Sequence, residues 1–227
     1  MTQVAKEFLR YAISIGALEF VPEGRKLKSG RISPYFFNSG LFHTGKAIRQ
    51  LASCYAQELQ YEGSVPLNEV VLFGPAYKGI PLVVATSMAL NTKFGYDVGY
   101  AFDRKEAMDH GEGGELVGCP VEGRRVIVID DVITTGGSTN EAFEFIRRHG
   151  GIPGAVYIAF DREERGVKSE LSAIQEFEGA QRACVYPIAK LRELIELFEA
   201  GDVPLTNTEI KTMLPLLLAY RDQYGVK

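Results

Sequence analysis

Apolar residues follow two different spacings along this chain. Strand-like apolar runs occur at 69–73, 96–102, 125–129, 154–160 and 183–188. Helical spacing of apolar residues occurs at about 2–16, 46–61, 79–91, 138–149, 190–199 and 208–222. From residue 69 onward the two kinds of segment largely alternate. This alternation predicts an α/β fold with a central, mainly parallel sheet flanked by helices.

Two stretches break the alternation. Residues 25–40 are predicted to form short extended segments around a Ser29-Gly30 turn. Residues 103–118 are charged and glycine-rich and have neither period, which is typical of a mobile surface loop. The 227 residues suit a single domain with three parts: about 1–65, an α/β core at about 66–190, and a helical tail at about 190–227. The first and last parts are candidates for a cap over the sheet edge.

The amino-acid composition disfavours several classes of function. The net charge is −4 with acids and bases interspersed, so no nucleic-acid-binding face is predicted. No apolar run approaches the ~20 residues of a membrane span, and the N-terminus suits an amphipathic helix better than a signal peptide. The three cysteines, Cys54, Cys119 and Cys184, form no C-x-x-C pair, so a disulfide framework or a zinc site is not expected. We expect Cys54 and Cys184 to be core residues and the protein to be cytoplasmic.

Residues 124–139, RRVIVIDDVITTGGST, contain the most informative pattern. A buried-strand run ends in two adjacent acids, Asp130 and Asp131. A single acid after a strand most often only starts a turn or caps a helix. Two adjacent carboxylates repel and are costly to bury unless something cationic or hydrogen-bonding meets them. A ribose diol and a magnesium ion are both suitable partners.

The turn that follows the acids is built from small residues. Residues 134–138 precede a helix that we expect to begin near Thr139. Main-chain N–H groups at such a helix start favour a phosphate. A diol site beside a phosphate site indicates a ribose 5-phosphate site. The chain has no G-x-x-x-x-G-K-[ST] and no correctly placed G-x-G-x-x-G, which disfavours a nucleoside triphosphatase or a dinucleotide enzyme. The stretch resembles the signature of the type I phosphoribosyltransferases, which implies phosphoribosyl diphosphate as the donor substrate.

Two further stretches carry cations. In FGPAYKGIP, residues 73–81, Lys78 lies between a strand end and a helix start, where it is a candidate diphosphate contact as well as ordinary solvated surface. In the loop 103–114, Arg104, Lys105 and His110 lie among glycines. That loop is either an ordinary charged loop or a lid that brings cations to a departing diphosphate.

Two stretches suggest how a flat ring would bind. Adjacent aromatics point to opposite faces of a strand, so one of Phe36 and Phe37 is expected in the core and the other at a pocket. Arg162, after the 154–160 strand, suits a ring that bears a carboxylate. Alone, it would more often be a surface ion-pair partner of Asp161 or Glu163.

Together, LKSGRISPYFFNSGLF, LFGPAYKGIP, DRKEAMDHGEGGELVG, IDDVITTGGS and DREERG resemble the bacterial orotate phosphoribosyltransferase family over residues 27–166. The resemblance implies a hood built from the N-terminal region, Mg²⁺ held mainly through the substrate, and a homodimer in which the loop 103–114 acts in the partner's site. It implies orotate contacts from Lys28, Phe36, Phe37, Thr134 and Arg162. It implies phosphoribosyl diphosphate contacts from Lys28, Tyr77, Lys78, Arg104, Lys105, His110, Asp130, Asp131, Val132, Ile133, Thr134, Thr135, Gly136, Gly137 and Ser138. Lys105, His110, Asp130 and Asp131 are the candidate catalytic residues.

The chain departs from this family at Met108, where the family usually has another loop lysine. A thioether cannot replace a positive charge on diphosphate, so the substitution bears on rate more than on substrate identity. Two alternatives remain: a non-catalytic regulator that senses phosphoribosyl diphosphate, and a phosphoribosyltransferase for a different base. The first would need an effector face, and the second conflicts with Arg162.

Overall fold

The computed structural model describes residues 1–27, 29–62, 66–108, 114–134 and 136–226, and among these the side chains of 62 and 105–108 are not described. The helices are α1 (Gln3–Ser14), α2 (Gly45–Glu62), α3 (Gly79–Phe94), α4 (Gly137–Arg148), α5 (Ala173–Gln181), α6 (Leu191–Glu199) and α7 (Asn207–Tyr224). The strands are β1 (Leu18–Lys26), β2 (Ile32–Phe37), β3 (Val70–Gly74), β4 (Gly99–Met108), β5 (Gly114–Gly118), β6 (Arg125–Asp130), β7 (Ile152–Asp161) and β8 (Cys184–Lys190).

The main sheet has the strand order β5-β4-β3-β6-β7-β8, and every neighbouring pair is parallel except β4 and β5. The predicted α/β fold with a central, mainly parallel sheet is therefore confirmed. Among the helices that the structure describes, none has the length and apolar content that a membrane crossing requires.

Side-chain alternation along β6 separates two cores. Val126 and Val128 pack on one face of the sheet with residues of α4 and α5. Ile127 and Ile129 pack on the other face with residues of α1, α2, α3, α6 and α7. Because all four side chains are buried, β6 lies in the interior and its final residues are fixed from both faces.

The N-terminal region forms a small antiparallel sheet of its own. β1 pairs with β2, with an irregularity between Phe20 and Arg25. The expected extended segments at 25–40 are present, but β1 begins at Leu18, much earlier than the pattern indicated. Pro22, Gly24 and the charged residues of LEFVPEGRK weaken its strand signal. The hairpin packs against α7, so the first and last parts of the chain meet over the main sheet.

The reading of 103–118 as a loop is wrong at both of its ends. β4 continues to Met108 and β5 occupies Gly114–Gly118, so the two strands form an antiparallel arm. Residues 109–113 lie outside the described part of the chain. β5 is the edge strand of the main sheet and none of its residues is fully buried. Such a strand needs no strict apolar alternation, which is why its composition resembles that of a loop.

Two smaller expectations also need correction. The helix α5 was missed, although Ser172 and Gln175 form the capping box that marks its start. Cys184 is exposed at the first position of β8 and is not a core residue. Cys54 is buried as expected, and burial raises the pKa of its thiol to about 12.

Glycines allow β3 to turn directly into α3. A Cβ added to Gly74 would lie 2.2 Å from the carbonyl oxygen of Gly79, and one added to Gly79 would lie 2.6 Å from the carbonyl carbon of Gly74. The two backbones therefore touch, and no side chain fits between them. This contact places the residues between them, 75–78, at the carboxyl edge of the sheet.

We predict that Gly79→Ala lowers the free energy of unfolding by about 1–3 kcal/mol, because the new methyl group must push two backbone segments apart. Gly45→Ala is the matched control, since it also changes the first residue of a helix and its added Cβ would meet nothing within 4 Å. Thermal and urea unfolding of both variants test this. Equal stability of the two variants would show that the contact tolerates a side chain.

Candidate active site

The segments that carried the chemical motifs meet at one edge of the sheet. β3, β6 and β7 run parallel, so the residues that follow each of them lie at the same carboxyl end. Lys78, after β3, places its Nζ atom 2.6 Å from Oδ2 of Asp131, after β6. The main-chain N–H of Ala159 in β7 donates to the carbonyl of Asp131. The predicted convergence of these segments is present in the structure.

The buried charge of Asp131 is matched by several donors. Its side chain is 8% exposed, and Oδ2 accepts from Lys78 and from the hydroxyl of Ser39. Oδ1 accepts from the N–H of Val132 at 2.9 Å. Ser39 lies in a short 3-10 turn, Ser39–Leu41, directly after the hairpin. Sequence reasoning missed Ser39, because only the fold brings it to a residue 92 positions away.

Asp130 has a different environment from its neighbour. Burial, followed by repulsion from Asp131, raises the pKa of Asp130 to about 7. Its Oδ1 accepts from the N–H of Asp131, and its carbonyl accepts from the buried hydroxyl of Tyr55 at 2.6 Å. Below about pH 7 the carboxyl of Asp130 is therefore mostly neutral, and it lies beside the Asp131 side chain that forms an ion pair with Lys78. A hydroxyl pair of a sugar would find both a donor and acceptors there.

The turn after the acids leads into the start of α4. Gly136 has a φ of 73° and caps the helix, which begins at Gly137. Thr134, Gly137 and Ser138 are exposed, whereas Val132 and Ile133 are partly buried. The first turn of α4 therefore presents main-chain N–H groups at the same edge as the acids, as a phosphate site requires.

The strand β2 connects the acid pair to Arg162. The hydroxyl of Ser33, at its start, accepts from Nη2 of Arg162 at 3.0 Å. Ser39, just beyond its end, donates to Asp131. Phe37 packs in the aromatic core, with its ring centroid 5.7 Å from that of Phe160. Phe36 points to the opposite face, is partly buried, and has the guanidinium carbon of Arg25 3.9 Å from its ring centroid. The expected core contact is present for Phe37, and a pocket position for Phe36 stays a prediction.

Arg162 lies at the end of β7 with its side chain 16% exposed. Its Nε donates to Oε1 of Glu164 at 2.7 Å, so its ion-pair partner is neither Asp161 nor Glu163. Glu163 pairs instead with Arg192. Arg162 is thus partly withdrawn from solvent and fixed in direction.

A cavity of about 410 Å³ adjoins the site and is lined by Pro75, Arg104 and Ser138, among other residues. These three come from three of the predicted segments. Asp103, at the base of the β4–β5 arm, accepts a hydrogen bond from the N–H of Ala76 at 2.6 Å and so fixes the arm to the turn before α3. Sequence reasoning also missed Asp103 and Tyr55.

The structure does not describe several of the side chains that are predicted to contact the substrates. Lys28, His110 and Thr135 lie outside the described residues, and so does the side chain of Lys105. Tyr77 is 71% exposed beside Lys78, at the predicted diphosphate side. In the described part of the chain, histidine, cysteine, aspartate and glutamate form no group of three that would hold a metal ion.

Comparison with known proteins agrees with this geometry. The Phosphoribosyl transferase domain family matches residues 41–179. A protein of Halorhodospira halophila named orotate phosphoribosyltransferase is 51% identical over 226 residues, covering 99% of both chains. The chain belongs to the orotate phosphoribosyltransferase family.

Two further relatives extend the likeness to the whole chain. The orotate phosphoribosyltransferase of Nitrosococcus oceani is 46% identical over all 227 residues and is covered to 98% of its length. The crystal structure of the Francisella tularensis orotate phosphoribosyltransferase has a TM-score of 0.81 at 36% identity, covering 96% of this chain and 98% of that one. The hairpin and the tail helix therefore lie within the matched length.

The raised pKa of Asp130 predicts how stability changes with pH. A carboxyl whose folded-state pKa exceeds its ordinary value of 3.8 stabilises the fold fully below about pH 4 and loses that contribution as pH rises through about 7. We expect Asp130→Asn to gain stability relative to the wild type as the pH rises from 4.5 to 8, by up to about 4 kcal/mol, since the pKa of Asp130 is raised from 3.8 to about 7 and one pKa unit is about 1.4 kcal/mol.

Thermal unfolding between pH 4.5 and 8.5 tests this expectation. Asp202→Asn is the control, because the side chain of Asp202 is 29% exposed and its pKa is lowered by the side chains of Lys6 and Arg10. Its effect should be constant above pH 5.5. A pH-independent effect of Asp130→Asn would mean that Asp130 is ionised throughout this range.

Proposed function

We propose that this protein transfers ribose 5-phosphate from phosphoribosyl diphosphate to orotate, giving orotidine 5′-phosphate and diphosphate, a step of pyrimidine synthesis. The observation that carries the proposal is the path of β2. This strand contacts Arg162 through Ser33, and the chain just beyond it contacts Asp131 through Ser39. The segment between them, with Phe36 and Phe37, lies between a site for a carboxylate and a site for a ribose.

The donor substrate would bind at the acid pair and the start of α4. Asp130 and Asp131 would hold the ribose hydroxyls, and residues 132–138 would surround the 5-phosphate. Lys78 forms an ion pair with Asp131 but its side chain is 66% exposed, so it can also contact a diphosphate. The exposed Tyr77 beside it would line the same side.

The acceptor would bind between β2 and the end of β7. Orotate is a flat ring with a carboxylate, and Arg162 would pair with that carboxylate. Phe36, Phe37 and Thr134 would border the ring, and Lys28 is proposed to reach both substrates. A purine base carries no carboxylate and would leave Arg162 without a partner from the ligand.

The chemistry requires stabilisation of two opposite charges. As the bond to the leaving group breaks, negative charge grows on diphosphate and positive charge grows on the sugar, as in an oxocarbenium-like transition state. Lys78, Arg104 and Lys105 would stabilise the first charge, and the acid pair, Asp130 and Asp131, would help to stabilise the second. His110 would donate a proton or a hydrogen bond to the leaving diphosphate.

Bound Mg²⁺ would neutralise charge on the diphosphate. The residues fit a metal held mainly by the substrate, because both oxygens of Asp131 already accept hydrogen bonds from Lys78, Ser39 and Val132. Magnesium commonly takes one or two protein carboxylates and completes its shell with phosphate oxygens and water.

The proposed assembly is a homodimer. Pro81 and Met88 of α3 are exposed, with Val84 and Ala85 partly exposed between them. These positions share one helix face, and the exposed Tyr77 adjoins it. α3 connects β3 to β4, so a partner on this face would lie beside the β4–β5 arm. The loop 103–114 would then act in the partner's site.

The free thiols of Cys54, Cys119 and Cys184 suit the proposed cytoplasmic location.

Turnover of purified protein with phosphoribosyl diphosphate and Mg²⁺ tests the substrate. We expect activity with orotate and not with uracil, hypoxanthine or adenine. Arg162→Ala should raise the KM for orotate roughly ten- to a hundred-fold, because a charged hydrogen bond contributes about 1.5–3 kcal/mol, and should leave the KM for phosphoribosyl diphosphate nearly unchanged. Turnover of a purine base would favour the different-base alternative, and binding of the donor without any turnover would favour a regulator.

Mixing two inactive variants tests the shared site. Lys105→Ala carries a loop defect and Asp131→Asn a ribose-site defect. If loops act across the dimer, each mixed dimer has one intact site, so about half of the dimers would restore roughly a quarter of wild-type activity. Subunit exchange is first shown with a tagged partner. Absence of recovery after proven exchange would indicate that each loop acts in its own subunit.

A further inference from the structure

The guanidinium of Arg162 is held by side chains that take no part in the proposed reaction. Nε donates to Glu164, and Nη2 donates to Ser33 and, at 3.4 Å, to the hydroxyl of Tyr220. Its central carbon lies 4.3 Å from the ring centroid of Tyr35. Arginine loses much rotamer freedom when it binds a ligand, so a side chain that is already fixed loses less.

Glu164 is in turn held from two sides. The hydroxyl of Tyr220 donates to Oε1 at 2.8 Å, the same oxygen that accepts from Arg162. Arg31 donates to Oε2 at 3.2 Å. The side chains of Glu164 and Arg31 are each only 13% exposed. The direction of Arg162 therefore depends on a carboxylate that cannot rotate freely.

Tyr220 brings the tail helix into this cluster. It lies in α7, its side chain is buried, and its ring packs against Tyr35 at 5.9 Å. The end of the tail is joined to the segment after β7 by main-chain hydrogen bonds from Arg165 to Tyr224 and from Val226 to Glu163. α7 and the segment that carries Arg162 therefore form one packed unit, although they are 58 positions apart at the contact.

The charges of the cluster are suited to an anionic ligand. Among the charged side chains that hydrogen-bond to one another here, Arg31 and Arg162 contribute two positive charges and Glu164 one negative charge, which leaves one positive charge. One carboxylate from a ligand would neutralise it. The hydroxyl of Tyr220 accepts a hydrogen bond from Arg162 and donates one to Glu164. It therefore fixes the relative position of these two side chains without adding charge.

We propose that Tyr220 is a positioning residue for the acceptor base, and that it acts by holding Glu164 and Arg162 in the geometry that receives the base carboxylate. This inference rests on the proposed role of Arg162. It extends base recognition to the C-terminal helix, none of whose residues was a candidate site residue from the sequence.

The test compares Tyr220→Phe with Tyr224→Phe. Both remove one hydroxyl from α7 and keep the ring and all charges, and the ring of Tyr224 still packs under Arg31. Tyr220→Phe should raise the KM for orotate about three- to tenfold, as expected for the loss of one or two hydrogen bonds, with the KM for phosphoribosyl diphosphate within about twofold. Tyr224→Phe should change neither. Equal changes in both KM values, or identical behaviour of the two variants, would overturn the proposal.

A double variant separates this inference from the proposed function. In the Arg162→Ala background, Tyr220→Phe should have no further effect on the KM for orotate, because its route of action is gone. If the two effects multiply, Tyr220 does not act through Arg162 and the inference fails while the role of Arg162 stands. If Arg162→Ala itself leaves the KM for orotate unchanged, the role of Arg162 fails, and the inference fails with it. Melting temperatures of all variants identify any that are partly unfolded.

Discussion

Two carboxylates buried side by side at the end of β6 are the constraint on which the site depends. A buried pair of like charges is unfavourable unless protons or cations reduce the repulsion. Here Asp131 accepts hydrogen bonds from Lys78 and Ser39, and the pKa of Asp130 is raised to about 7. These contacts require the turn before α3 and the chain after β2 to reach the same point. The acid pair therefore organises the edge of the sheet as well as serving as a candidate ligand site.

Elements with strong periodicity were predictable from the sequence. β3 and β6 are buried on both faces and appear as continuous apolar runs, and their parallel pairing follows from the alternation with helices. The elements that were missed have weaker local signals. β1 contains Pro22 and Gly24, β5 is an edge strand, and α5 is a short helix marked mainly by its capping box.

The residues of the candidate site also differ in how far the sequence could predict them. Asp130, Asp131 and Lys78 were identified because their residue types and positions after strands carry chemical meaning. Ser39, Tyr55 and Tyr220 were not, because a serine or a tyrosine in an ordinary segment has no distinguishing local pattern. Each becomes significant only through a contact with a residue more than 50 positions away. Such contacts depend on tertiary packing, which local patterns do not encode.

The two serines at the ends of β2 have a consequence for substrate choice. Ser33 contacts Arg162 and Ser39 contacts Asp131, so the six residue steps between the two serines limit their separation to about 20 Å. The protein would then measure the length of its ligand with a segment of main chain. A compound with the correct functional groups at the wrong spacing would satisfy one end and leave the other unpaired. Selection by length in this way does not depend on the identity of the side chains between the ends.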